Sequence, residues 1–115
     1  MGIKNENAAV FPKNWAEVYQ AAVNVIPTIP KMKVKSADQS TGRIIAGKGM
    51  SMRSWGEEVI VDVWEVSPKK AGVRVTSALK AQLVDWGANK KNVAAVLDAI
   101  SAELKTPAQP LPDSG

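Results

Sequence analysis

The sequence predicts an α+β fold: a two-layer sandwich built as helix, four-stranded antiparallel meander, helix, with both helices on one face of the sheet. Three observations carry it. Residues 57–66 alternate, with Val59, Val61 and Val63 set against Glu58, Ile60, Asp62 and Trp64. Residues 73–80 answer with Val73, Val75, Ser77 and Leu79 against Arg74, Thr76, Ala78 and Lys80. Outside the strands lie two stripes at helical spacing, Trp15, Val18, Ala22 and Val25 before them and Val93, Val96, Leu97, Ile100 and Leu104 after them.

The elements follow in order. Residues 1–12 are largely small and polar, and read as a flexible lead. Asn14 stands three residues before Glu17, the spacing of a capping box, so a helix opens at Trp15. Pro27 and Pro30 close it, because neither can donate to the helical ladder. Met32 and Val34 alternate with Lys31, Lys33 and Lys35, the pattern of a half-buried strand with a wet outer face. Asp38 to Gly42 form a turn, and Arg43 to Gly49 a second strand with Ile44 and Ala46 on one face and Ile45 and Gly47 on the other. The two valine strands then close a hairpin through Ser67 to Ala71, a register that places Trp64 opposite Arg74, Asp62 opposite Thr76, Ile60 opposite Ala78 and Glu58 opposite Lys80. A single domain therefore spans 13–105, and the proline-bearing residues 106–115 read as a disordered tail.

Composition sets exclusions. The chain has 115 residues, 45% of them hydrophobic, enough for one core without staples. It has no cysteine and no histidine, which removes disulfides, thiolate and imidazole catalysis and the commonest transition-metal ligands. The expectation is a protein that is not an enzyme and takes no metal or cofactor. Net charge is +4, and Lys31, Lys33, Lys35, Arg43, Lys48 and Arg53 crowd one early stretch, where edge-strand lysines also discourage unwanted strand pairing. No apolar run approaches a membrane span or a signal segment, so the chain as written reads as cytoplasmic, or as the soluble domain of an envelope-associated protein.

Motifs with catalytic spacing fail on context. Gly42 to Lys48 follows a phosphate-loop pattern, but the eighth position is Gly49, its interior is strand-like, and no helix opens after the lysine. Ser77 and Lys80 have Ser-x-x-Lys spacing, yet a strand sends them to opposite faces. Glu58 and Asp62 share a face about 13 Å apart, too far for a glycosidase pair.

Two surfaces remain. The outer sheet face, carrying Ile45, Ile60, Trp64, Arg74 and Ala78, is an apolar patch framed by cations and suits a protein partner or a second copy of the chain. Around Trp86, the lysines Lys90 and Lys91 precede Asn92; either Asn92 caps the last helix with the lysines outside it, or an anion sits at the helix start. A small amphiphilic ligand between helices and sheet is the alternative, in a pocket lined by Trp15, Trp55 or Trp86. Nucleic acid does not fit, with one Phe, one Tyr and a strand order unlike the common RNA-binding sheet.

The runs Ser36-Ala37-Asp38 with Thr41-Gly42, Ser54-Trp55-Gly56-Glu57, and Lys80 to Gly87 with Asn89-Lys90-Lys91-Asn92-Val93 resemble a group of small bacterial domains of unknown function, related in pattern to envelope lipoprotein domains. The resemblance covers roughly residues 13–104. It implies a helix, four antiparallel strands and a helix, and no catalytic residue. The chain departs from the lipoprotein form in having no lipid-bearing cysteine. The leading expectation is thus a binding or protein-interaction module acting through the outer face or the Trp86 loop.

Overall fold

Asn14 does cap the first helix: its Oδ1 accepts from the Glu17 backbone N–H at 2.8 Å, and α1 runs Trp15–Val25. Val18, Ala22 and Val25 are buried as the stripe requires, and a single 3-10 turn over Ile26–Thr28 containing Pro27 ends the element. The computed structural model describes residues 4–48, 57–79 and 88–109. Within them the remaining elements are β1 (Lys4–Phe11), β2 (Met32–Asp38), β3 (Arg43–Lys48), β4 (Glu57–Ser67), β5 (Lys70–Leu79) and α2 (Ala88–Leu104).

The sheet is antiparallel in the order β1-β5-β4-β3-β2. It has five strands, not the four expected, because residues 4–11 are not a lead: they pair with β5, Ala9 opposite Val73 and Phe11 opposite Ala71. Phe11 is fully buried. The free edge of β5 needs a partner for its backbone groups, and that requirement outweighs the polar character of Asn5, Glu6 and Asn7. The tail is likewise tied down at one point, where Val10 and Gln109 exchange backbone hydrogen bonds of 2.7 and 2.9 Å.

The β4–β5 register also differs. Ser67 pairs with Lys70 across a two-residue Pro68-Lys69 turn, and a bulge follows between Glu65 and Ser67. The result sets Trp64 opposite Gly72, Asp62 opposite Arg74, Ile60 opposite Thr76 and Glu58 opposite Ala78. The displacement from the expected register is two residues, so every side chain keeps its face.

Ala9, Phe11, Met32, Ile44, Ala46, Val59, Val61, Val63, Val73 and Val75 line the inner face and form one core with Val18, Ala22, Val93, Val96 and Ile100 of the two helices. Both helices therefore cover the same face. Trp15 fastens α1 to the sheet: its Nε1–H donates to the Val63 carbonyl at 3.0 Å, and its ring stacks on Tyr19 with centroids 5.3 Å apart. Beside it Gly42, at φ 75°, closes the β2–β3 turn, where a Cβ would collide with the Val63 carbonyl oxygen.

Candidate functional site

The outer face brings together all five residues predicted there. Ile45 lies opposite Ile60, which lies opposite Thr76, while Trp64 and Arg74 sit two residues apart along the neighbouring rows. Ile45, Ile60, Trp64 and Ala78 are half-buried and Arg74 is exposed. The Trp64 ring lies against Gly72, where any Cβ would strike the indole, and the Arg74 guanidinium stands 5.3 Å from the ring centroid. The expected Trp64–Arg74 contact thus exists as a diagonal pair. Gly47 is covered in a similar way, by the stem of Lys35.

Charge fills the rest of that face. Arg43 Nε donates to Asp62 Oδ1 at 2.8 Å across β3 and β4, which raises the arginine's already high pKa. Glu6 of β1 accepts from the Thr76 hydroxyl at 3.0 Å and lies 3.9 Å from Arg74. These are exposed pairs of small energetic weight.

The basic loop is built differently from expectation. Helix α2 begins at Ala88, so Lys90, Lys91 and Asn92 all lie inside it and Asn92 is not its cap. Lys91 is exposed in the first turn. Trp55 and Trp86, like Lys80 and the Lys90 side chain, lie outside the described residues. Trp15 itself is engaged with Val63 and Tyr19.

Asn92 instead points into the core. Its Nδ2–H donates to Ser77 Oγ at 3.1 Å, with Ser77 0% and Asn92 1% exposed. This buried pair joins α2 to the inner face of β5, and the sequence reading missed it. The signal was present: Ser77 interrupts the valine row of the inner face, and Asn92 occupies a position one turn before Val96 on the apolar stripe. Ser77 lies opposite Val59, and Val63 lies opposite Val73, four residues or about 13 Å along the hairpin. The polar pair therefore sits toward the end of the sheet where β3 stops, β4 starts, β5 stops and α2 starts, away from the Trp15 latch. Among the described residues, acidic side chains do not gather into a group able to hold a metal ion, and no helix is long and apolar enough to cross a membrane.

No family model matches the sequence, and no curated protein matches it. Solved structures do match, over nearly the whole chain. The di-domain ARO/CYC protein BexL of the BE-7585A biosynthetic pathway is similar with a TM-score of 0.64 and 17% identity, over 90% of this chain and 46% of that one, so this chain spans about half its length. Ara h 8.0201 is similar with a TM-score of 0.62 and 11% identity, over 92% of this chain and 100% of that one. A norcoclaurine synthase point mutant from Thalictrum flavum, in complex with a transition-state analogue, reaches a TM-score of 0.60 at 9% identity, over 91% and 97% of the two chains. At such identities the likeness concerns the fold alone, a helix-grip or START-like arrangement in which an antiparallel sheet grips the C-terminal helix.

These matches correct the expectation that the chain is not an enzyme. Aromatase/cyclase and synthase activities occur on this fold, so lacking histidine and cysteine does not exclude catalysis for a chain that adopts it. The fold does not by itself supply a reaction either.

Proposed function

We propose that the chain is a small-molecule-binding domain that takes a compact hydrophobic ligand between α2 and the inner face of the sheet. The observation that carries it is the grip itself: α2 presents Val93, Val96, Leu97 and Ile100 to Val73 and Val75, with one buried polar pair set among them. Apolar walls with a few convergent polar groups are what ligand sites in this size class are made of. The neighbours of the same fold, one of them bound to a transition-state analogue, support the reading. The outer face supports a partner surface less well, because the Trp64 ring is already seated on Gly72 and Arg74 of its own chain.

Thermal shift against a panel of neutral aromatic and aliphatic molecules tests it, followed by amide chemical-shift mapping of any hit. Binding raises Tm with ligand concentration in proportion to ln(1 + [L]/Kd). The perturbed amides should cluster on α2 and the inner residues of β4 and β5. No stabilisation by any member of the panel, or shifts confined to Ile45, Ile60 and Trp64, overturns the reading.

A further inference from the structure

We propose that the outer edge of β1 is a strand-docking surface whose occupant is the chain's own residues 110–113, which add to β1 as a sixth, antiparallel strand and close that edge of the sheet. The inference is independent of the ligand reading above. Among the described strands, β1 and β2 are the two edges. β2 is blunted by the exposed Lys33 and Lys35 and by a bulge between Val34 and Ser36. At β1 the first contact with the tail is already made: the Val10 N–H donates to the Gln109 carbonyl at 2.7 Å, and the Gln109 N–H donates to the Val10 carbonyl at 2.9 Å. The turn after α2 delivers the chain there, with Lys105 at φ 56° and the Thr106 N–H donating to the Ser101 carbonyl at 3.1 Å.

The register decides which way this ladder grows. Val10 and Gln109 exchange both bonds, so they are a hydrogen-bonded antiparallel pair, and such pairs recur at every second residue. In one direction the next such pair is Pro12 with Pro107, and neither residue has an N–H to give. In the other direction the next are Ala8 with Leu111 and Glu6 with Asp113, and all four have one. Pro110 and Pro112 fall opposite Ala9 and Asn7, at positions whose backbone nitrogen points away from β1, so the missing donor costs this pairing nothing. A shift of one residue would turn both prolines toward β1 and end it. The same prolines fix their own φ and hold Gln109 and Leu111 out of the helical region, so the segment favours extended backbone before it docks. Docked, it leaves the new edge without a donor at 110 and 112, and a second copy of the chain has no full ladder to join. The Ala8 N–H donates to the Asn7 side-chain Oδ1 at 2.9 Å, a local exposed bond that the Leu111 carbonyl replaces on docking.

Nuclear magnetic resonance of the intact chain tests this. Docking predicts cross-strand Hα–Hα contacts between Ala9 and Pro110 and between Asn7 and Pro112, with amide exchange at Glu6 and Leu111 slower by about tenfold than in an unstructured chain. Leu111→Pro removes the donor that faces Ala8; it should erase the contact between positions 7 and 112 and return Glu6 to fast exchange, while thermal unfolding stays cooperative. Pro112→Ala adds a donor only on the outward side and should keep both the contact and the protection. A wild-type Leu111 amide that exchanges at the unstructured rate overturns the inference, as does equal loss, or equal retention, of contact and protection in the two variants. Protection of Glu6 that grows with protein concentration and brings no contact to 110–113 gives the edge to a second copy of the chain and overturns it too.

Discussion

Trp64 is seated on Gly72. The two residues face each other across β4 and β5, and the indole occupies the space a side chain at position 72 would need. The glycine is buried beneath a ring that the strand pattern alone places on a wet face.

Gly72→Ala should therefore destabilise the protein by about 1–3 kcal/mol, the usual penalty for forcing atoms into filled space. Trp64→Val should reduce that penalty, because the methyl then meets open surface. Urea unfolding of the two single variants and the double variant gives the coupling. Additive effects would show that the ring does not need Gly72.

The first strand makes a stronger demand. Phe11 is fully buried and Ala9 nearly so, both on the inner face opposite Ala71 and Val73. Phe11→Ala should cost about 3–5 kcal/mol, and removal of residues 1–11 should abolish cooperative unfolding or lower Tm drastically by baring the edge of β5. A truncated chain that melts like the full one would reduce β1 to an ornament.

The contrast between β1 and β4 shows what could be read in advance. In β4, Val59, Val61 and Val63 alternate with polar or mixed positions, so face and core were legible from period alone. In β1 the apolar residues Ala8, Ala9, Val10 and Phe11 run consecutively after four polar ones. Its pairing is dictated by the vacant edge of β5, a strand far along the chain. The hairpin register was missed by two residues because the bulge near Val66 and the tight Pro68-Lys69 turn leave no signature in alternation. Asn92 looked like a cap because a capping residue and a buried polar residue one turn before an apolar stripe occupy the same place in a sequence. Both are asparagine ahead of valine, and the helix start at Ala88 together with the Ser77 contact tells them apart.

Tyr19 gives a prediction in pH. Burial first, and the negative charge of Asp38 second, hold its phenol above the ordinary value of 10.0. Asp38 is itself held below the usual carboxylate range by hydrogen bonds from Ser40, so it stays charged throughout. The unfolded chain then loses the phenolic proton first as pH rises. The stability linked to Tyr19 is complete below pH ~10 and is lost as pH climbs through the folded-state value. Tyr19 is the one tyrosine of the chain, so tyrosinate absorbance reports it alone. Its midpoint should lie above that of the urea-unfolded protein, and Asp38→Asn should bring it partway down. A folded midpoint at or below the unfolded one contradicts the burial seen here.

The start of α2 decides between a solvated turn and an anion site. Its first turn contains no acidic residue, and Lys91 there is exposed with its charge at the positive end of the helix dipole. If only water faces that turn, Lys91→Glu replaces a repulsion with an attraction and should stabilise the fold by about 0.5 kcal/mol at low ionic strength. The gain should shrink in higher salt, since exposed charges are screened beyond a Debye length. Urea unfolding at two ionic strengths, with and without added phosphate, measures this. A loss of stability on Lys91→Glu, confined to solutions containing phosphate, would instead identify Lys91 as part of an anion-binding helix start. Stabilisation that is indifferent to phosphate leaves the lysine as an exposed, mildly unfavourable charge.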